Sequence, residues 1–70
     1  MIYREVARKL RRLGCEEDPR RGGGSHRKWR HARTGKRTSI PDWGPKDLKI
    51  GTLHAAVHQL GLTWHDFEEA

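Results

Sequence analysis

The chain has 70 residues, with 15 Lys or Arg against 9 Asp or Glu and a formal net charge of +6. That length allows one domain, residues 1–70, with a modest core, and excludes a second catalytic domain. The charge favours a polyanionic partner, nucleic acid ahead of an anionic membrane surface.

No apolar stretch approaches the roughly 20 residues that a spanning helix needs, and the N-terminus lacks a signal-peptide apolar block. A cytosolic protein without membrane association is therefore expected. Cys15 is the sole cysteine, so no intrachain disulfide or multi-cysteine zinc site can form, and its simplest role is that of a half-buried small apolar residue.

In chain order, Tyr3, Val6, Leu10 and Leu13 recur at helical spacing, and Gly14 sits where a helix commonly ends. This predicts an amphipathic helix over residues 2–13, with Arg8, Arg11 and Arg12 on a solvated face whose charge helps draw in a polyanion. Glu5 and Lys9 stand in the favourable i,i+4 order. Glu16-Glu17-Asp18 is poor strand material and Pro19 removes a ladder donor, so any strand after Cys15 should be a short edge strand.

Residues 25–40 read as a hairpin, two alternating runs around Arg33-Thr34-Gly35-Lys36, with Gly35 supplying the positive φ of a tight turn. Alternation places His26, Lys28 and Arg30 on one face and Arg27, Trp29 and His31 on the other. With Trp29, Thr38 and Ile40 toward the core, the outer face collects His26, Lys28, Arg30 and Arg37. A slip of one residue would invert this assignment.

Pro41, Gly44 and Pro45 mark a loop carrying Trp43, for which packing and partner contact are both open. Ile50, Leu53, Val57 and Leu60 form the apolar stripe of a second helix, filled in by Ala56 and stopped by Gly61. Thr63 with Asp66 resembles a capping box, and Leu62 and Phe67 stand at staple positions, which predicts a short third helix from about Trp64. The fold class is α+β in the order α-β-β-(β)-α, helices on one face of a small antiparallel sheet, plus a short C-terminal helix.

Gly24-Ser25-His26 before a basic and aromatic strand, Ile40-Pro41 closing the next strand, and Ile50-Gly51-Thr52-Leu53 opening the second helix together resemble the HicA toxins, also called YcfA-like proteins. The resemblance runs from about Arg4 to Leu62. It implies a double-stranded-RNA-binding-like fold, a ribonuclease acting on mRNA, and neutralisation by a HicB-type antitoxin. The family's catalytic histidine falls on His26, with Gly24 and Ser25 shaping the backbone before it. Where the family has apolar or aromatic residues before the glycine, this chain has Glu16-Glu17-Asp18-Pro19.

The chemistry of His26 follows from the residues as well. RNA cleavage needs a base for the 2′-hydroxyl proton, an acid for the leaving oxygen, and cations to hold the developing phosphorane charge. A strand-face histidine flanked by Lys28 and Arg30 supplies the first and the last, with Arg37 as a further RNA-binding cation. His31 is near in sequence but lies on the opposite face.

No cofactor or metal is expected. His54 and His58 have a zinc-compatible i,i+4 spacing, yet the intervening residues lack a glutamate, and His54, His58 and His65 read as solvent-face residues. Trp29 reads as core rather than as a base-stacking ring. Two other functions use the same surface: a non-catalytic double-stranded-RNA module, which needs no essential histidine, and a protein-binding domain that docks an acidic partner. A nuclease made without restraint harms its own cell, so an inhibitor that covers His26 and presents carboxylates to Lys28, Arg30 and Arg37 is expected.

Overall fold

In the computed structural model the stripe of Tyr3, Val6 and Leu10 becomes the buried side of α1, Tyr3–Arg12, with Ala7 beside it. Residues 1–19 and 24–70 are described; Gly22 and Gly23, two members of the glycine run, lie outside them. The Glu5–Lys9 pair does not form. Glu5 Oε1 instead accepts the Ile2 N–H at 3.0 Å, which satisfies a donor at the helix start. The Lys9 ammonium reaches the end of the chain and donates to the carbonyls of Phe67, Glu68 and Ala70 at 3.4, 2.8 and 3.2 Å. A cation at a helix C-terminus is favoured by the helix dipole, and Glu5 is already engaged at the start of its own helix.

Three strands follow: β1, Cys15–Glu17; β2, His26–His31; and β3, Arg37–Pro41. They form one antiparallel sheet in the order β1-β2-β3, so β1 is the short edge strand that its acidic sequence implies. Gly35, at φ +77°, turns the chain between β2 and β3, and the His31 N–H donates to the Lys36 carbonyl at 2.8 Å to start the ladder. Trp29 stands opposite Glu17 and Thr38, and His26 opposite Pro41. Trp29, Ile40 and Thr38 are all buried, so the register is the one that the alternation requires.

Helix α2, Ile50–Gln59, packs on β3, and α3, Trp64–Glu69, folds back between α2 and α1. One stripe residue is corrected. Ile50 is 62% exposed, and α2 buries Leu53, Ala56 and Val57, with Leu60 at its end. Ile50 is the first residue of the helix and stays exposed, whereas Leu48, in the preceding loop, is buried in the core, and its N–H donates to the Met1 carbonyl at 2.9 Å. Gly61 suits its place: its φ is +75°, a backbone conformation that L side chains rarely adopt.

Thr63 Oγ1 accepts the Asp66 N–H at 3.1 Å and starts α3, whose Phe67 is wholly buried. Cys15 is buried rather than half-buried, because α1 lies over β1. The result is α+β, with the helices covering one face of the sheet.

Candidate functional site

Two faces of one strand carry the chemistry. On the uncovered face, His26 opens β2 directly after Gly24, at φ +112°, and Ser25. The Ser25 carbonyl accepts the Asp42 N–H at 2.6 Å, and His26 pairs with Pro41, so the strand start is tied to the end of β3. His26 and Lys28 are exposed, and among the described residues neither side chain has a hydrogen-bond or ion-pair partner.

The two arginines of this face are occupied. Arg30 Nη2 lies 3.2 Å from Glu16 Oε1, Arg30 Nε 3.9 Å from Asp18 Oδ1, and Arg37 Nη1 3.5 Å from Asp18 Oδ2. Arg30 and Arg37 are cross-strand partners, and like charges facing each other repel; the Asp18 carboxylate, reaching both, offsets that. The alternation places all four basic residues on one face, His26 and Lys28 bare and Arg30 and Arg37 paired. Sequence reasoning missed that β1 and the residue after it, through Glu16 and Asp18, add two carboxylates to the same surface. The signal was present in the spacing of Glu16, on the adjacent strand, and Asp18, two residues on and just past its end.

On the helix-covered face the polar groups form a closed chain. Trp29 Nε1 donates to Tyr3 Oη at 2.9 Å, and Tyr3 Oη donates to Glu17 Oε1 at 2.7 Å. Arg27 Nη1 donates to Glu17 Oε2 at 2.9 Å and Arg27 Nη2 to Asp42 Oδ2 at 3.0 Å. The guanidinium also stands 5.7 Å from the centre of the Tyr3 ring. Burial, and then the Glu17 carboxylate, pushes the Tyr3 phenol well above its usual range, against a lesser opposing pull from the Trp29 donor. The hydrogen bond to Glu17 likewise pushes the Arg27 guanidinium up. This network holds Trp29 and Tyr3 in the core, and it occupies every group in it except Arg27 Nε, which is buried without a partner among the described residues.

The remaining sequence candidates fall outside this site. His31 is buried on the helix side, where its Nδ1 accepts the Arg33 N–H at 3.2 Å. His54 stacks on Trp64 at 3.7 Å between ring centres, and His65 lies 3.8 Å from Glu69 on the surface of α3. Among the described residues no three His, Cys, Asp or Glu side chains are grouped to hold a metal ion. No helix is long and apolar enough to cross a membrane.

A three-stranded antiparallel sheet with helices on one face and, on the other, a histidine and a lysine without side-chain partners among the described residues defines a small, basic α+β domain. The family model described as the HicA toxin of bacterial toxin-antitoxin systems matches residues 3–62. The chain belongs to that family, and its role is that of the toxin component. No curated protein and no solved structure matches the chain.

Proposed function

We propose that this toxin is an endoribonuclease that cleaves mRNA, with His26 transferring the proton at the reacting 2′-hydroxyl. The observation that carries this reading is the contrast at the start of β2: an exposed imidazole with no structural partner among the described residues, beside an equally unpaired Lys28. A histidine titrates near neutral pH and serves as base or acid there.

In the proposed reaction the His26 imidazole takes the 2′-hydroxyl proton, and the 2′-oxygen attacks the adjacent phosphorus. The bond to the 5′-oxygen breaks, and that oxygen takes a proton from water or substrate. The products are a 2′,3′-cyclic phosphate and a 5′-hydroxyl. The nucleophile belongs to the RNA, so the reaction requires no metal-bound hydroxide and proceeds without a metal or cofactor. Lys28 stabilises the charge on the phosphorane, and Arg30 and Arg37 join it when phosphate displaces Glu16 and Asp18. Gly24 and Ser25 set the backbone from which His26 projects.

The same surface suits a HicB-type antitoxin in the cytosol. Its carboxylates would pair with Lys28 and compete with Glu16 and Asp18 for the arginines.

The test is cleavage of a defined single-stranded RNA in EDTA by the parent protein and by His26→Ala, with circular dichroism on both. Cleavage by the parent alone, both being folded, supports the reading. Binding without cleavage by either protein overturns it in favour of a non-catalytic RNA module, and unfolding of His26→Ala makes the histidine structural.

A further inference from the structure

Beyond β3 the chain enters a loop, residues 42–49, that the proposed proton transfer leaves unused. It begins at the sheet end where His26 lies: Pro41 is the register partner of His26, and the next residue, Asp42, is held from three directions. Its N–H donates to the Ser25 carbonyl at 2.6 Å, its Oδ2 takes Arg27 Nη2 at 3.0 Å, and its Oδ1 accepts the Gly44 N–H at 2.9 Å. Between Asp42 and Gly44 stands Trp43, 38% exposed; it and Ile50 are the two exposed large hydrophobic residues among those described. The turn is closed by the Lys46 N–H donating to the Trp43 carbonyl at 3.2 Å.

The loop's charges divide by sign. Asp42 is consumed by Arg27, and Asp47 by the N-terminal ammonium at 2.8 Å. Lys46 and Lys49 are exposed, and among the described residues neither side chain has a partner. An exposed indole on a backbone tied down on both sides, with two lysines after it whose side chains have no partner among the described residues, matches how proteins bind single-stranded nucleic acid: a ring for a base to stack on and cations for the adjoining phosphates.

We propose that Trp43 is a base-stacking platform, and Lys46 and Lys49 its phosphate contacts, that position single-stranded RNA across the end of the sheet at His26. The inference rests on the ribonuclease reading and adds to it a positioning residue outside the proton-transfer site. The loop takes an unpaired nucleotide, because only an unstacked base presents a free face to an indole.

The experiment uses full-length protein carrying His26→Ala, so that binding is read without cleavage, and a short single-stranded oligoribonucleotide with a matched one abasic at its centre. Adding Trp43→Ala is expected to weaken binding of the intact RNA by roughly tenfold to a hundredfold and leave its salt dependence unchanged; Trp43→Phe restores most of the affinity. The abasic RNA should bind equally well with and without Trp43→Ala. Lys46→Ala with Lys49→Ala should flatten the slope of log K against log salt by about 1.4, two single-strand phosphate contacts at about 0.7 each. Equal affinity for the intact RNA with and without Trp43→Ala, while RNA is still bound, overturns the platform and leaves the ribonuclease reading standing. Failure of the His26→Ala protein to bind RNA and of the parent to cleave it overturns both. Loss of affinity for the antitoxin alone on Trp43→Ala also overturns the platform, by assigning the loop to a protein contact.

Discussion

His26 and Arg27 are neighbours on β2, yet their side chains live in opposite conditions. Arg27, turned to the helices, is held by two carboxylates and a tyrosine ring. His26, turned away from them, has no side-chain partner among the described residues. In so small a domain the polar residues of the covered face are absorbed by the fold, because a buried polar group without a partner is costly. On the open face water satisfies each group, so a residue can stay unpaired and available. The open face divides again, since Glu16 and Asp18 engage the arginines and leave the histidine and Lys28.

The largest effect should come from the covered face. Trp29→Ala empties the centre of the core and is expected to cost about 3–5 kcal/mol, read by urea unfolding, which is most of the stability of a domain this size. A comparable loss on substituting an open-face residue would erase the distinction between the faces. His26→Ala should do the reverse: stability within about 0.5 kcal/mol of the parent, and an RNA cleavage rate lower by about a hundredfold to ten-thousandfold.

Tyr3→Phe sharpens the account of the network. It removes the donor to Glu17 and the acceptor for Trp29 Nε1, at an expected cost of about 1–3 kcal/mol in unfolding experiments. It also tests the alkaline limb. The folded phenol titrates above its unfolded value, so its contribution is complete below the unfolded value of about 10 and is lost as pH rises from there toward the folded one. Stability should fall over that range in the parent, with a smaller slope in Tyr3→Phe. A change in stability within about 1 kcal/mol is expected for Glu16→Gln with Asp18→Asn, because these ion pairs are partly open to solvent. The same variant should bind RNA more tightly and with a steeper salt dependence, read by titration at several ionic strengths, because Arg30 and Arg37 are released.

The parts of the fold legible in the sequence are those set by short-range periodicity. The helical spacing of Val6 and Leu10, the alternation around Trp29 and the glycine between β2 and β3 each act over a few residues. Contacts between distant residues were not legible. The Lys9 ammonium and the α3 carbonyls are 58 to 61 positions apart, and nothing local distinguishes them from the nearer Glu5. Ile50 fits the helical stripe by spacing, but as the first residue of α2 it stays exposed, while Leu48 in the preceding loop is buried. The site shows the same division. Alternation located His26, Lys28, Arg30 and Arg37 on one face, whereas the pairing of both arginines depends on how β1 is set against β2.

Cys15 offers a clock for the opening of that edge. Its thiol is buried in β1, opposite His31, and burial pushes its titration upward, so it is protected twice from thiol reagents, by exclusion and by protonation. As the sole thiol in the chain, its labelling rate under native conditions reports how often the edge strand loses the cover of α1, without interference from any other site. Antitoxin binding across the sheet should slow that rate, which would turn capture of the toxin into a signal measurable without RNA.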